Sequence, residues 1–470
     1  MSDRPLILWV RRDLRLGDQP MLAAAVASGR ALLPVFVLDP ETEALGAAPK
    51  WRLGLAIAQF ATALSGIGLR LTLRRGPALA VLEQLAAETG ATGVWWSRLY
   101  DPNSVARDTL VKAALTAQGV EARSFAGHLL HEPWTVETGQ GGFYRVFSPY
   151  WRAVRDRAVA TPAAAPVRAT APAAWPASDR LEAWGLGAAM MRGAAIVARY
   201  QTVGETAARA RLAAFLERPV ADYARARDLP GVEGTSRLAE NLTYGEIGIR
   251  EVWHAAMRRR SDGMDGAETF LRELVWREYA YHLMHHTPQI THANWKPDWD
   301  DFPWRGDNAD AERWRRGMTG EPFVDAAMRE MYVTGTMHNR ARMIAASYLT
   351  KHLLTHWKLG LDWFADCLTD WDPASNAMGW QWVAGSGPDA SPYFRVFNPA
   401  GQAEKFDPKG HYRRRFLAEG ALEPEAEALS YFKAVPKSWA LDPKAPYPSP
   451  LIDLAEGRAR ALLAYGARKA

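Results

Sequence analysis

Residues 370–399 read DWDPASNAMGWQWVAGSGPDASPYFRVFNP, a stretch rich in aromatics, glycine and amides and poor in charge. Trp371, Trp380, Trp382, Tyr393, Phe394 and Phe397 alternate with small residues that let a flat ligand come close. Asp370 and Asp372 open the segment. Apolar walls with a few fixed hydrogen-bonding groups suit a pocket for a planar, polar ring system. The same composition also suits an aromatic core loop in a large helical domain. Other stretches add chemistry. FLRELVWREYAY (270–281) sets Glu273, Trp276 and Arg277 at i, i+3 and i+4, on one helix face. TGTMHNRARMIAASY (334–348) does the same for Asn339, Arg342 and Met343. An amide, a guanidinium and a thioether together suit a ligand with polar and apolar parts. In GVEGTSRLAENL (231–242), Thr235 and Ser236 follow Gly234 and open a helix. Their amides and hydroxyls can seat a phosphate or simply cap the helix. His282, His285 and His286 have metal-like spacing without an acidic partner pattern, so no metal site is expected. The arginine clusters at 258–260 and 413–415 read as solvated faces.

Those residues need a scaffold. With 470 residues, 48% of them apolar and 23% charged, the chain has the composition of a globular protein with two substantial domains. Roughly the first quarter reads as α/β. Apolar runs at Leu6–Val10, 31–38, 69–73, 93–96 and 120–125 are expected strands, with helical patterns between them at 51–64 and 77–88. Pro77 suits a first helical turn. Such alternation implies a Rossmann-like parallel sheet with right-handed crossovers. No GxGxxG follows the first strand, so the dinucleotide fingerprint is absent. Residues 161–178, rich in Ala and Pro, read as linker, and from residue 205 the pattern is helical almost to the end. The expected division is an α/β domain over 1–130, an interdomain linker over 131–204 and an all-α domain over 205–470.

Composition also bounds the partners. A net charge of +5 is compatible with nucleic acid. The single cysteine, Cys367, excludes an intrachain disulfide and fits a reducing compartment. No stretch is long and apolar enough to span a membrane, and the opening MSDRPLILWVRRDLR lacks a signal peptide's features. A cytoplasmic monomer is expected. The 20 tryptophans are an excess, and Trp is redox-active when packed in series.

In order along the chain, LWVRRDLRLGDQPML, GGFYRVFSPYWR, GTSRL, ELVWREY, TGEPFVDAAMR, TGTMHNRARM and NAMGWQW…PYFRVFNPAGQAEKFDP resemble the motifs of the photolyase/cryptochrome family, over nearly the whole length. The resemblance implies an amino-terminal antenna domain and a helical domain that binds FAD in a bent form. By motif position, Tyr223, Thr235, Ser236 and Arg277 are expected at the FAD. Asn339, Arg342, Asp370, Asp372 and Asn376 are expected around the flavin ring. Asp372 would accept the imide N–H, and Arg342 with Asp370 would hold an anionic reduced flavin. Asn376 would offer its amide oxygen to N5. Trp380, Trp357 and Trp304 match the family's electron-transfer chain, although Trp357 alone also reads as helix packing.

The closest match is to photolyases of cyclobutane pyrimidine dimers, with UV-damaged DNA as partner. The lesion would be flipped out of the duplex. Glu273 would hydrogen-bond it, Trp276 and Trp382 would stack on it, and Met343 and Asn339 would line the floor. Arg227, Arg340 and Arg395 match positions near the DNA or the entry hole. (6-4) photolyases carry histidines at the positions of Asn339 and Met343, and DASH-type proteins carry Gln at that of Met343. The implied activity is dimer splitting by electron transfer from photoexcited reduced FAD; the alternative is a cryptochrome-like blue-light receptor without repair. Thr336, Ala239, Ala377 and Met378 depart from the family pattern. So does Ser104, which stands where folate binders carry an acidic residue. A second antenna chromophore (folate, deazaflavin or another flavin) or none all fit.

Overall fold

The computed structural model describes residues 4–389 and 394–468. Five strands, β1 (Leu6–Val10), β2 (Leu32–Leu38), β3 (Thr72–Arg75), β4 (Gly93–Ser97) and β5 (Glu121–Phe125), form one parallel sheet in the order β3-β2-β1-β4-β5. Leu6 of β1 sits opposite Leu32 of β2 and Gly93 of β4. Strands β1, β2 and β4 are buried along their whole length, as a sheet covered on both faces requires. The period of two sorts their side chains. Leu6, Leu8, Val10 and Phe36 pack with Leu53, Ile57 and Phe60 of the helix Ala47–Gly66. Ile7, Trp9, Val35 and Val37 pack with Val81, Leu82 and Leu85 of the helix Ala78–Thr89. The α/β first domain and the helical remainder expected from the sequence are both present.

Two local expectations shift. The third strand forms at Thr72–Arg75, later than residues 69–73, because its pairing with Val35 begins at Thr72. Leu69 and Leu71 are buried in the approach to the strand instead. Arg74 and Arg75 are tolerated because β3 is an edge. Pro77 stands just outside its helix as the N-cap, in an extended conformation, and not in the first turn.

The stretch 161–178 has no regular secondary structure but lies tied to the α/β domain as a strap. Leu32 N donates to Thr170 O at 2.8 Å, and Ala169 N donates to Ile67 O at 3.0 Å. Upstream of it, the helix Phe147–Val154 buries Phe147, Tyr150, Trp151 and Val154 in one core with the long helix Asp265–His286. A second helical core surrounds the helices Pro322–Thr334, Asn339–Ser347 and Trp357–Cys367. The helix Pro373–Ala384 lies between these cores and contributes Ala374 to one and Trp380 to the other.

The two halves are locked together. Arg52, from the helix Ala47–Gly66, pairs with Glu246 at 2.7 Å, and both side chains are fully buried. Tyr244 Oη lies 3.1 Å from Pro49 O. Gly245 (φ +67°) lies so close to the first domain that a Cβ there would stand 2.1 Å from Arg12 O. Only glycine fits that turn.

Candidate functional site

The helices Asn339–Ser347, Trp357–Cys367 and Pro373–Ala384 enclose a cavity of about 160 Å³. Its lining gathers eight of the residues singled out above: Asn339, Arg342, Met343, Asp370, Trp371, Asp372, Asn376 and Trp380. Helical spacing brings the first three together, since i, i+3 and i+4 share a face. The carboxylates arrive on the short segment 369–372, which is pinned from several sides. Thr369 N donates to Gly335 O at 2.8 Å, Tyr244 Oη donates to Thr369 O at 2.7 Å, and Thr369 Oγ1 donates to buried Glu240. Asp372 then caps the next helix, accepting Ser375 N at 2.9 Å, with Pro373 at the first position.

The cavity's electrostatics follow from pairing. Arg342 Nη2 donates to both oxygens of Asp370, at 2.9 and 2.6 Å, while its Nε donates to Met337 O at 2.8 Å. Asp372 is a second buried carboxylate, and its Oδ2 accepts the Tyr281 hydroxyl. Asn376 Nδ2 donates to Leu361 O at 3.1 Å. A carbonyl can only accept, so this bond fixes the amide orientation and leaves Asn376 Oδ1 as an acceptor for the cavity. Gly379 lines the wall, and a Cβ there would meet nothing within 4 Å. The glycine therefore keeps open a flat strip that a side chain would fill. A cation paired to a carboxylate, a second carboxylate, an amide oxygen, a bare backbone strip and an indole wall together fit an isoalloxazine.

The other expected cofactor contacts lie outside this lining. Tyr223 is buried edge-on between Phe215 and Phe270, at 5.4 and 5.6 Å between ring centres. Thr235 and Ser236 do not open a helix. They stand in a loop ahead of the short helix Ala239–Thr243, and Arg237 takes a left-handed conformation (φ +50°) between them and that helix. Ser236 Oγ accepts Leu238 N at 3.4 Å, and the cap residue is Leu238. Arg277 turns away from the cavity and donates to His128 O at 2.9 Å and His128 Nε2 at 2.8 Å.

Asn339 and Met343 apart, the residues expected at a flipped base or its DNA sit outside this lining. Glu273 is paired with Arg227. Burial raises the Glu273 carboxyl above the usual carboxylate range, against the pull of Arg227. Trp276 lies flat on Phe147, with 3.6 Å between ring centres and 7° between planes. Phe147 was not singled out in the sequence; it belongs to a different helix, and no local period connects the two. Trp382 is half-buried, Arg340 pairs with Asp228 at 2.7 Å, and Arg395 is exposed. Tyr393 falls outside the described residues.

The three expected electron-transfer tryptophans follow a path from the cavity. Trp380 forms its wall and rests on Gly360, where a Cβ would stand 2.0 Å from the indole. Gly360 and Trp357 share the helix Trp357–Cys367. His356 then stands 5.7 Å from Trp357 and 5.6 Å from the partly buried Trp304, between ring centres. His356, which lies between these two indoles, was not singled out in the sequence.

A second cavity, about 670 Å³, opens at the carboxyl ends of β1, β2 and β4, where the strand order reverses direction. Arg11, Arg12 and Arg107 line it with Asp39, Asp101 and Ser104. Trp371 walls both this cavity and the smaller one. The histidines of the long helix serve packing: His286 stacks on Phe143 at 4.8 Å and 6°, and His282 Nε2 accepts Tyr144 N at 3.1 Å. Among the described residues, no three His, Cys, Asp or Glu side chains gather as a metal site, and no helix is long and apolar enough to cross a membrane.

Known proteins resemble this chain over most of its length. Residues 6–170 match the family model described as DNA photolyase, and residues 270–467 match that of the FAD binding domain of DNA photolyase. The deoxyribodipyrimidine photo-lyase of Agrobacterium fabrum is 44% identical over 475 aligned residues, covering 100% of this chain and 99% of its own. Cryptochrome-2 of Arabidopsis thaliana is 34% identical, over 98% of this chain and 78% of its own. The crystal structure of a bacterial class III photolyase from Agrobacterium tumefaciens superposes with a TM-score of 0.92 at 42% identity, covering 100% of this chain and 98% of that one.

Proposed function

Since the chain belongs to the DNA photolyase family, whose FAD-binding domain it carries, we propose that it repairs DNA by splitting cyclobutane pyrimidine dimers under light. The observation that carries this reading is the cavity in which the Arg342–Asp370 pair, Asp372 and the Asn376 amide oxygen converge beside Met343 and Asn339. Bound and reduced, FAD supplies an electron donor that blue or near-UV light activates.

The protein's own part is binding, orientation and charge. Arg342 balances Asp370 and brings positive charge to a ring that is anionic when reduced. Asp372 offers acceptor sites to an imide N–H, and Asn376 accepts a ring N–H without adding charge. The half-buried Thr235–Ser236 loop, with its hydroxyls and backbone amides, suits the phosphates. A dimer pairs and stacks poorly while still in the duplex, so flipping it out is cheap. Glu273, its carboxyl raised by burial, can donate or accept toward a pyrimidine edge. Trp276, backed by Phe147, presents a rigid flat face at low entropic cost. Neither Asn339 nor Met343 can act as a proton donor of the imidazole type, which favours cyclobutane dimers over (6-4) lesions. Trp380, Trp357 and Trp304 give the cavity a route to the surface for recharging the cofactor. The larger cavity suits a second, light-gathering chromophore with anionic groups that its arginines would hold.

The test is direct. Reduced holoprotein is mixed with dimer-containing DNA and illuminated, and dimers are counted against a dark control. Loss of dimers in light alone is the expected result. Flavin-bound protein that leaves dimer levels unchanged would favour the photoreceptor reading, in line with the similarity to a plant cryptochrome.

A further inference from the structure

Given FAD in the cavity, as proposed above, we infer that Tyr281 is a positioning residue for it: held between His128 and Asp372, its hydroxyl fixes the carboxylate that faces the flavin imide. Asp372 meets a protein donor at each oxygen. Oδ1 accepts Ser375 N at 2.9 Å, and Oδ2 accepts Tyr281 Oη. The plane of the carboxylate is thereby set before any ligand arrives, and lone pairs remain for one more donor. Tyr281 is itself immobile. It is 2% exposed, on the helix Asp265–His286, and packs edge-on against His128 (5.0 Å, 78°) and Tyr100 (6.0 Å, 77°).

Counting protons gives the direction of each bond. His128 Nε2 lies 2.8 Å from Arg277 Nη2 and 2.9 Å from Tyr281 Oη. A guanidinium only donates, so Nε2 is its acceptor and the ring's proton sits on Nδ1. Burial, reinforced by Arg277, Arg12 and Arg15, keeps His128 neutral by pushing its pKa well below the ordinary value. The single hydroxyl proton of Tyr281 thus faces two acceptors, an imidazole nitrogen already served by Arg277 and an anionic carboxylate. The charge-assisted bond is the stronger, so the proton lies toward Asp372. His128, packed edge-on against the Tyr281 ring, is the backstop that holds the oxygen in line. His128 belongs to the loop after β5, just past Gly127 (φ +140°), so the α/β half of the molecule reaches the cofactor wall through this imidazole and the Tyr100 ring.

The inference separates the flavin ring from the rest of FAD. Apoprotein is titrated with FAD and, separately, with ADP, which carries the adenine and phosphates but no ring. Tyr281→Phe keeps the packing and removes the hydroxyl. It is expected to weaken FAD roughly tenfold, leave ADP affinity unchanged, and shift the visible band of the bound oxidised flavin. Tyr281→Phe combined with Asp372→Asn should bind FAD no worse than Asp372→Asn alone, because Tyr281 acts through Asp372. His128→Leu, which spares the hydroxyl but removes its backstop, should lower the FAD-to-ADP affinity ratio in the same direction. It carries the test if Tyr281→Phe folds poorly. An unchanged ratio and spectrum, an equal loss of FAD and ADP, or additive effects in the double variant would overturn the proposal. Wild-type protein that binds no FAD would instead bring down the cofactor reading, and this proposal with it.

Discussion

Arg342 carries much of the site's charge balance, because its guanidinium is the cavity's cation and Asp370, 8% exposed, has no other ion-pair partner among the described residues. Arg342→Ala is expected to strand that carboxylate and to open the bond to Met337 O. The Arg342 side chain is 27% exposed, so the loss should be about 2 kcal/mol, below that of a fully buried pair. A lower melting temperature together with FAD-poor purified protein would bear this out; retained FAD at wild-type stoichiometry would refute it. At this scale much of the cavity was legible. Asn339, Arg342 and Met343 share a helical face, and Asp370, Asp372 and Asn376 stand close in sequence, so local spacing already groups them. Tyr281, His128 and Phe147 were not legible as partners. The His128–Tyr281 contact spans 153 residues of chain, and Phe147 lies flat under Trp276 from another helix. No sequence period records such meetings. The Thr235–Ser236 pair misled in a smaller way: its composition is that of a helix cap, but the left-handed Arg237 delays the helix to Ala239.

The long helix Asp265–His286 concentrates the site's supporting charge, with Glu273, Arg277, Glu278 and Tyr281 along its length. Glu278 is the costly member. It is buried, accepts Leu130 N at 2.9 Å and His131 N at 3.3 Å, and its carboxyl is pushed up to about 7 by burial, against the pull of Arg277. A folded-state pKa above the ordinary 4.5 means that ionisation opposes folding. Stability is therefore whole below about 4.5 and is lost as pH rises through about 7. Glu278→Gln should flatten the fall in melting temperature across that window, by at most one proton's worth, about 1.4 kcal/mol per pH unit. An unchanged pH profile would show that Glu278 does not titrate there. Elements themselves were the most legible layer. Strands β1, β2 and β4 appear as apolar runs because a doubly covered sheet needs them buried. The edge strand β3 was displaced in the reading because hydrophobicity marks Leu69 and Leu71, whereas hydrogen bonding to β2 decides where the strand begins.

For the whole molecule, two of the three arginines expected at DNA are already engaged: Arg227 with Glu273, and Arg340 with Asp228. Binding DNA must trade those carboxylates for phosphates. Affinity for dimer-containing DNA should fall linearly in log–log terms with salt, and Arg340→Ala should reduce the slope by about one without changing sequence preference. A slope equal to wild type would remove Arg340 from the interface. The route from cavity to surface is testable at the same scale. Trp357 is fully buried and donates to Asn294 Oδ1 at 2.8 Å. Trp357→Phe should keep the fold and slow light-driven reduction of bound oxidised FAD by about an order of magnitude or more; an unslowed rate would exclude this path. How the halves meet was the least legible layer, because it rests on pairs such as Arg52 with Glu246 that are 194 residues apart. That pair has a consequence for any attempt to cut the molecule in two. Separated, each fragment would expose to water the apolar surface that now surrounds this fully buried pair. The α/β half and the helical half are thus not modules to be traded between proteins; each is the cover for the other's buried face.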